Sequence, residues 1–304
     1  MKKVISVALW LLVMSVMTNP ALAAEGGVVE AGATLQKLSG EFKFTEGPAA
    51  DAEGNVYFTD QPNDRILRWG TDGKLATFMQ PSGRANGLCF DGKGNLLACA
   101  DEKNELWSID VATKHVTVLV KEFDGKLLNG PNDLWVHPDG SIYFTDPLYK
   151  REYWRRDPAM QQDGQHVYRL SADGKQVTRV IDDLKQPNGI IGTQDGRTLY
   201  VADIGARKTY AYDLGADGKP SNKRLFCEMG SDGVTLDGAG NLYLTGRGVS
   251  VFDKTGRKVE QIDVPGEGWT ANVCFGGADG RTLFITASKG LYSIRTRTGR
   301  AGSQ

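Results

Sequence analysis

Short runs of alternating or wholly apolar residues, separated by glycine-centred turns, run along the chain from about residue 33. A period of two predicts β-strands, and beyond the first residues no stretch carries the 3.6 period of a helix. The runs fall into a repeated unit in which a polar pair opens an apolar strand, a glycine turn follows, and a second apolar strand returns. The copies begin EGPAADAEGNVYFTD at Glu46, NGLCFDGKGNLLACAD at Asn86 and NDLWVHPDGSIYFTD at Asn132. They continue NGIIGTQDGRTLYVAD at Asn188, DGVTLDGAGNLYLTG at Asp232 and NVCFGGADGRTLFITA at Asn272. Their openings are 40, 46, 56, 44 and 40 residues apart, the period of a four-stranded propeller blade. In the third copy the four strands are expected at 133–137, 141–145, 166–171 and 177–182.

The last copy supplies strands at 272–276, 282–287 and 291–295 and then runs into a polar tail, one strand short. A spare alternating strand at 33–38 precedes the first copy. Laid against the last blade, it removes an exposed sheet edge and completes the ring. The fold class expected is therefore all-β, a six-bladed β-propeller whose last blade is closed by an N-terminal strand, with residues 24–304 as one domain. The 38 glycines fit an array of tight turns, where positive φ favours a residue without Cβ.

Residues 1–23 stand apart from the repeats. Lys2 and Lys3 precede an apolar run to about Met17, and Ala21-Leu22-Ala23 offers an A-x-A cleavage site, which reads as a secretory signal peptide. An exported protein, periplasmic or secreted, is expected. The formal net charge is −1 and becomes −3 without the two leader lysines; no long basic run marks a nucleic-acid partner, and no segment is long enough to be retained in a membrane. The four cysteines match no metal spacing and are expected as unpaired apolar residues. Cys89 and Cys99 fall on the two strands of one repeat, in diagonal rather than opposed register.

If each copy is one blade, Glu46, Asn86, Asn132, Asn188, Asp232 and Asn272 arrive at one end of a shared central channel. Six turn dipeptides in the same phase, ahead of six inner strands, are hard to explain as turns alone, although propellers also carry structural polar residues near the axis. Two carboxylates and four carboxamides form an all-oxygen set that suits one hard divalent cation, calcium first, with zinc, magnesium or manganese as further choices. Without a cation, one of two converging carboxylates must keep its proton. Asp60, Asp101, Asp146 and Asp203 close the second strands of the first four copies, where they can bond ring residues or simply turn amides. The only insertion, residues 148–165, carries Tyr149, Arg151, Tyr153, Trp154, Arg155 and Arg156 and is expected to overhang the channel mouth as a lid.

The three histidines, His115, His137 and His166, are out of phase with the ring, and G-x-S-x-G, HExxH and P-loop patterns are absent. Chemistry in this channel has to come from a cation and a carboxylate: polarisation of a carbonyl and proton transfer from a water. Spacing alone does not choose the substrate.

The EGP at Glu46, GPND at Gly130–Asp133, QPNG at Gln186–Gly189 and SDG at Ser231–Gly233 resemble the senescence marker protein 30/gluconolactonase family, in family order along the whole mature chain. That resemblance implies a propeller with one divalent cation and hydrolysis of a small-molecule aldonolactone. It implies Glu46, Asn188 and Asp232 as metal ligands, Asn132 as a metal or substrate contact, and Asp232 also as the catalytic acid/base. Some members carry a substrate-contacting arginine two residues before that asparagine. Gly130 stands there in this chain, so Arg84, two before the candidate substrate contact Asn86, or an arginine of 148–165 is the expected substitute. A non-catalytic propeller binding a sugar or protein around a structural calcium, and a hydrolase of other esters, are the alternatives.

Overall fold

The computed structural model describes residues 27–266 and 268–300; the leader-like segment 1–23 lies outside them. Six four-stranded antiparallel sheets surround one axis as a β-propeller. Blade one is Thr45–Ala50, Val56–Asp60, Arg65–Trp69 and Leu75–Met79; blade two is Ala85–Phe90, Leu96–Ala100, Glu105–Ile109 and Val116–Val120. Blade three is Leu134–Val136, Ile142–Asp146, His166–Leu170 and Val177–Ile181, and blade four is Pro187–Gly192, Thr198–Asp203, Lys208–Leu214 and Pro220–Cys227. Blade five is Val234–Leu236, Leu242–Gly246, Gly248–Phe252 and Lys258–Ile262. Blade six holds Thr270–Gly276, Thr282–Ala287 and Gly290–Arg295, and its outermost strand is Gln36–Ser39, antiparallel to Gly290–Arg295 with an irregular step after Lys37.

Why the second strands read as continuous apolar runs follows from their place. Val56–Asp60, Leu96–Ala100, Ile142–Asp146 and Leu242–Gly246 are buried at every residue, because each is covered on both faces by the neighbouring blades. Tyr57, Ile66 and Phe78 of blade one pack on Leu88, Leu96 and Trp107 of blade two. Phe58 and Leu67 of blade one meet Phe284 and Leu291 of blade six, so the circle is sealed by apolar contact. Each such side chain contributes about 1.5–3 kcal/mol on burial. The outer strands face water, and Leu75–Met79 exposes its first three residues.

At the far end of the channel the first two strands of each blade are joined by a tight turn. Gly54, Gly94, Gly140, Gly196, Gly240 and Gly280 occupy one corresponding position with φ between 67° and 91°, where a Cβ is disfavoured. In three of these turns an aspartate grips the asparagine four residues on: Asp51–Asn55, Asp91–Asn95 and Asp237–Asn241, at 2.8, 2.9 and 2.8 Å.

All four cysteines are free, and Cys89 lies opposite Leu97 rather than Cys99. The first strand of blade three is shorter than expected: Asn132 and Asp133 precede Leu134–Val136, held instead by bonds between the Asn132 amide and the Thr145 carbonyl and between the Thr145 amide and the Asp133 carbonyl. Among the described residues no helix is long and apolar enough to cross a membrane.

Candidate active site

The polar openings sit where the inner ladder breaks. Strand register slips between Glu46 and Ala49, Ala85 and Leu88, Pro187 and Ile190, and Thr270 and Asn272, and in blades three and five the strand begins only after the polar residue. Such irregularity re-aims a side chain off the sheet face. The following glycines have a steric cause rather than a turn. A Cβ on Gly47 would stand 2.0 Å from the Asn86 carbonyl oxygen, and one on Gly87 2.6 Å from that of Asn132. A Cβ on Gly189 would meet the Asp232 carbonyl oxygen at 2.9 Å, and one on Gly233 would meet Asn272 Cγ at 2.0 Å. Each glycine lets the next blade's polar residue approach, which draws the ring together.

Two ring side chains, Asn188 and Asp232, form a chain of hydrogen bonds with Tyr149 and Trp269. Asn188, fully buried, donates Nδ2 to Asp232 Oδ1 at 2.7 Å and to the Tyr149 hydroxyl at 2.7 Å. Trp269 donates Nε1 to Asp232 Oδ2 at 2.6 Å, so both oxygens of this half-buried carboxyl are engaged. In blade one, buried Glu46 accepts from its neighbour's amide, that of Gly47, and from Asn272 Nδ2 of blade six at 3.1 Å. Asn86 Oδ1 and Asn188 Oδ1 are buried with no hydrogen-bond partner. Asn132 is buried, and its carbonyl receives the Gly87 amide at 2.7 Å.

The electrostatics are those of crowded acids. Burial, then the charges of Asp232 and Asp133, push Glu46 well above the ordinary carboxylate range. Burial also raises Asp232, opposed by the bonds from Trp269 and Asn188, the field of Arg151 and a hydrogen bond with Glu46. The two acids act on each other, and burial raises both, so a proton or a cation between them relieves the conflict. A third acid was not singled out from the sequence. Asp133 occupies the slot that glycine fills in four copies; burial, with Asp232 adding to it, pushes it up to about 8 although the Leu134 amide bonds it at 2.9 Å. Its deviation from the X-Gly pattern was the available signal. Trp269, three residues before Asn272, carried none.

The loop 148–165 lies against this end of the propeller. Tyr149 reaches Asn188, Tyr153 donates its hydroxyl to Gln61 Oε1 at 2.7 Å, and the Arg155 amide bonds Glu102 at 2.9 Å. Gly130 has φ +147°, and a Cβ there would stand 2.4 Å from Asp101 Oδ1 and 2.7 Å from an Arg156 terminal nitrogen; the loop's guanidinium fills the space a side chain at 130 would need. Arg84 is placed under the same loop, donating to the Pro62 carbonyl at 2.6 Å, paired with Glu102 at 3.3 Å and stacked 4.8 Å from the Tyr153 ring centroid. These contacts hold its guanidinium under the loop.

The strand-end aspartates divide. Asp60, Asp146 and Asp203 accept backbone amides of the segment leading to the ring: Lys43 and Phe44, Asn129 and Gly130, Lys185 and Gln186. Asp101 instead takes Gln61 at 2.9 Å, Arg156 at 3.5 Å and Arg151 at 3.7 Å, and burial pushes it up to about 6 against those arginines. The histidines stand elsewhere; His137 contacts the Gly196 carbonyl in the far-end turns, and His166 bonds Asp163.

Among the described residues no three His, Cys, Asp or Glu side chains cluster as a metal group. The ring's donor set is different in kind: two carboxyls, Glu46 and Asp232, with the unpaired amide oxygens of Asn86 and Asn188. A buried amide oxygen without a partner costs about 1–3 kcal/mol, and two converging acids add to it. A hard cation relieves both, so the residues fit one.

A family described as the SMP-30/gluconolactonase/LRE-like region matches residues 44–289. A gluconolactonase of Zymomonas mobilis is 28% identical over 300 residues, covering 89% of this chain and 83% of its own. A solved gluconolactonase from Xanthomonas campestris superposes with a TM-score of 0.82 at 31% identity, covering 92% of this chain and 93% of that one. The diisopropyl-fluorophosphatase of Loligo vulgaris is 26% identical over 246 residues, 72% of this chain and 77% of its own. With a match of that extent over a six-bladed propeller, the chain belongs to the SMP-30/gluconolactonase family.

Proposed function

We propose that this protein is a metal-dependent hydrolase of sugar lactones, with Asp232 as its general acid/base. The observation that carries the reading is the convergence of two acids, buried Glu46 and half-buried Asp232, that act on each other, together with the unpartnered amide oxygens of Asn86 and Asn188. Glu46, Asp232 and Asn188, with Asn132, would hold the cation, calcium before zinc, magnesium or manganese. When bound, it supplies charge that polarises the lactone carbonyl and stabilises the oxyanion. The chain's own residues do the rest. Asn188 and Trp269 hold the Asp232 carboxylate in one orientation, so that it takes a proton from the attacking water. The acyl C–O bond breaks, and the same carboxyl returns the proton to the departing ring oxygen, leaving a hydroxy acid. Asn86 and Asn132 are the candidate contacts to sugar hydroxyls, Tyr149 closes one side of the mouth, and Trp269, about one-third exposed, offers an apolar face opposite.

Lactone hydrolysis is the activity named for the gluconolactonase relatives that cover most of the chain. A phosphotriester substrate is the second reading, favoured by the Loligo relative. Export to the periplasm or medium belongs to the proposal through residues 1–23. The test is hydrolysis of glucono-δ-lactone, followed by proton release, with and without chelator, beside diisopropyl fluorophosphate. Turnover of the lactone that chelator abolishes and calcium restores supports the reading; no lactone turnover with any of the four cations overturns it.

A further inference from the structure

Four arginines gather on one side of the channel mouth: Arg84 from blade two and Arg151, Arg155 and Arg156 from the loop. Their commitments differ. Arg84 is held by the Pro62 carbonyl and Glu102. Arg156 donates to the Asn129 carbonyl at 2.5 Å, lies 3.7 Å from the Trp154 ring centroid and pairs with Asp101. Arg155 points its side chain to solvent. Arg151 is underused. The Nε atoms of Arg84, Arg151 and Arg156 are all buried without a hydrogen-bond partner, but Arg84 and Arg156 each donate a terminal nitrogen to a backbone carbonyl. The nearest carboxylate to Arg151, Asp101, stands at 3.7 Å, beyond direct hydrogen bonding, and is shared with Arg156 and Gln61.

Arg151 is also the arginine next to the ring. Its guanidinium centre lies 4.7 Å from the Tyr149 ring centroid, and the Tyr149 hydroxyl is bonded to Asn188, which is bonded to Asp232. A half-buried guanidinium with an unmet donor, one aromatic ring away from the reacting end, is a receiver for a planar or tetrahedral anion. At the carbonyl end the charge of a bound cation would be offset by Glu46 and Asp232, so that end offers an anion no comparable excess of positive charge. The two ends of the site therefore orient a substrate: carbonyl toward Asp232, negative charge toward Arg151.

We propose that Arg151 is a specificity-determining residue, and that the preferred substrates are lactones bearing an anionic group, carboxylate or phosphate, at the end remote from the carbonyl. This rests on the lactonase reading but is separable from it. Two matched pairs test it: glucaro-1,4-lactone against glucono-1,4-lactone, and 6-phosphoglucono-1,5-lactone against glucono-1,5-lactone. In the wild type kcat/KM should be higher for the anionic member of at least one pair, with the responding pair telling carboxylate from phosphate, and the preference should shrink as salt is raised. In R151Q the ratio of anionic to neutral kcat/KM should fall roughly ten- to a hundredfold, and R151K should recover part of it. Neutral lactones turned over as well as or better than both anionic partners, or an unchanged ratio in R151Q, overturns the inference and leaves the lactonase reading standing. If no lactone is turned over the lactonase reading falls, and calorimetric titration with glucarate and gluconate decides alone. Tighter glucarate binding lost in R151Q then supports the anion site, and equal affinities overturn it.

Discussion

Trp269 and Asp232, 37 residues apart in sequence, are joined at the channel mouth by an indole N–H donated to a carboxylate oxygen at 2.6 Å. The bond fixes the rotamer of the acid that the proposed chemistry turns on, and it acts together with the Asn188 amide on the other oxygen. W269F removes the donor and keeps an aromatic face. Hydrogen bonds to charged groups contribute about 1.5–3 kcal/mol, so kcat/KM for a neutral lactone should drop about tenfold or more. The melting temperature should hold nearly steady, since this side chain is partly exposed. Wild-type kcat/KM in W269F would remove Trp269 from the site.

D232N should behave in the opposite way on the two axes. The amide keeps the size and accepts the same donors on one oxygen, but it can no longer take a proton, a loss of about 10²–10⁴-fold in kcat. Stability should stay level or rise in chelator-treated protein, because the charge that helps push Glu46 up is gone. Full turnover in D232N, measured on fresh lactone at constant pH, rules out its role as acid/base.

The metal-free protein should lose stability as pH rises. Asp101, Asp146 and Asp133 are pushed up to about 6, 7 and 8, each first by burial, from an ordinary value of 3.8. Between that ordinary value and the raised one, the folded chain binds protons that the unfolded chain has released. Folding stability is therefore present in full below about pH 4 for these groups and declines as each raised value is passed, by up to about 1.4 kcal/mol per pH unit per group. Thermal melts in chelator from pH 5 to pH 9 should show a falling midpoint. Calcium should restore most at the alkaline end, where Glu46 and Asp232 are charged. A midpoint that climbs over that range contradicts the raised acids.

G233A tests the steric logic of the ring. The added methyl would stand 2.0 Å from Asn272 Cγ, and Asn272 is the residue that bonds Glu46. Overpacking of this kind costs about 1–3 kcal/mol, so the melting point should fall by several degrees while lactone turnover is lost more completely than the stability change explains. G240A, at a far-end turn with φ +83° and nothing within 4 Å of the new methyl, should lower stability and spare kcat.

The propeller and the phase of its polar ring were legible because both are periodic: the repeats place Glu46, Asn86, Asn132, Asn188, Asp232 and Asn272 alike, and geometry follows from the count. The reason for the glycines was not legible. Asn-Gly and Asp-Gly read locally as turn pairs, whereas Gly47, Gly87, Gly189 and Gly233 answer to a neighbour some forty residues away. Asp133 hid as the second half of an opening pair, although it is the one acid standing where glycine is usual. Trp269 lies in a connection whose length varies from blade to blade, so no register pointed to Asp232. Arg84 looked poised two residues before Asn86, but its backbone φ of +50° and the loop above it turn its side chain toward Pro62 and Glu102.

Asp101 is the strand-end aspartate that holds the loop rather than its own backbone, and D101N should loosen that loop. Gln61, Arg151 and Arg156 converge on this buried carboxyl, while the buried Nε atoms of Arg84, Arg151 and Arg156 and the Trp154 indole N–H have no partner. Gln161 and Gln162 hang the far half of the loop on Asn129 and on the carbonyls of Phe123, Lys126 and Leu127. The arginine-bearing half is therefore the part that leans on Asp101, and removing one charge from a buried cluster costs about 3–5 kcal/mol. The effect should be local. Trypsin cleavage at Arg151, Arg155 or Arg156 should accelerate roughly tenfold or more in D101N with the global melting midpoint shifted by only a few degrees. D60N, whose aspartate serves blade one's own backbone and Arg65, should leave cleavage in the loop unchanged. Equal protection of the loop in D101N and wild type would show that the aromatic contacts of Tyr149 and Tyr153 hold it closed without Asp101.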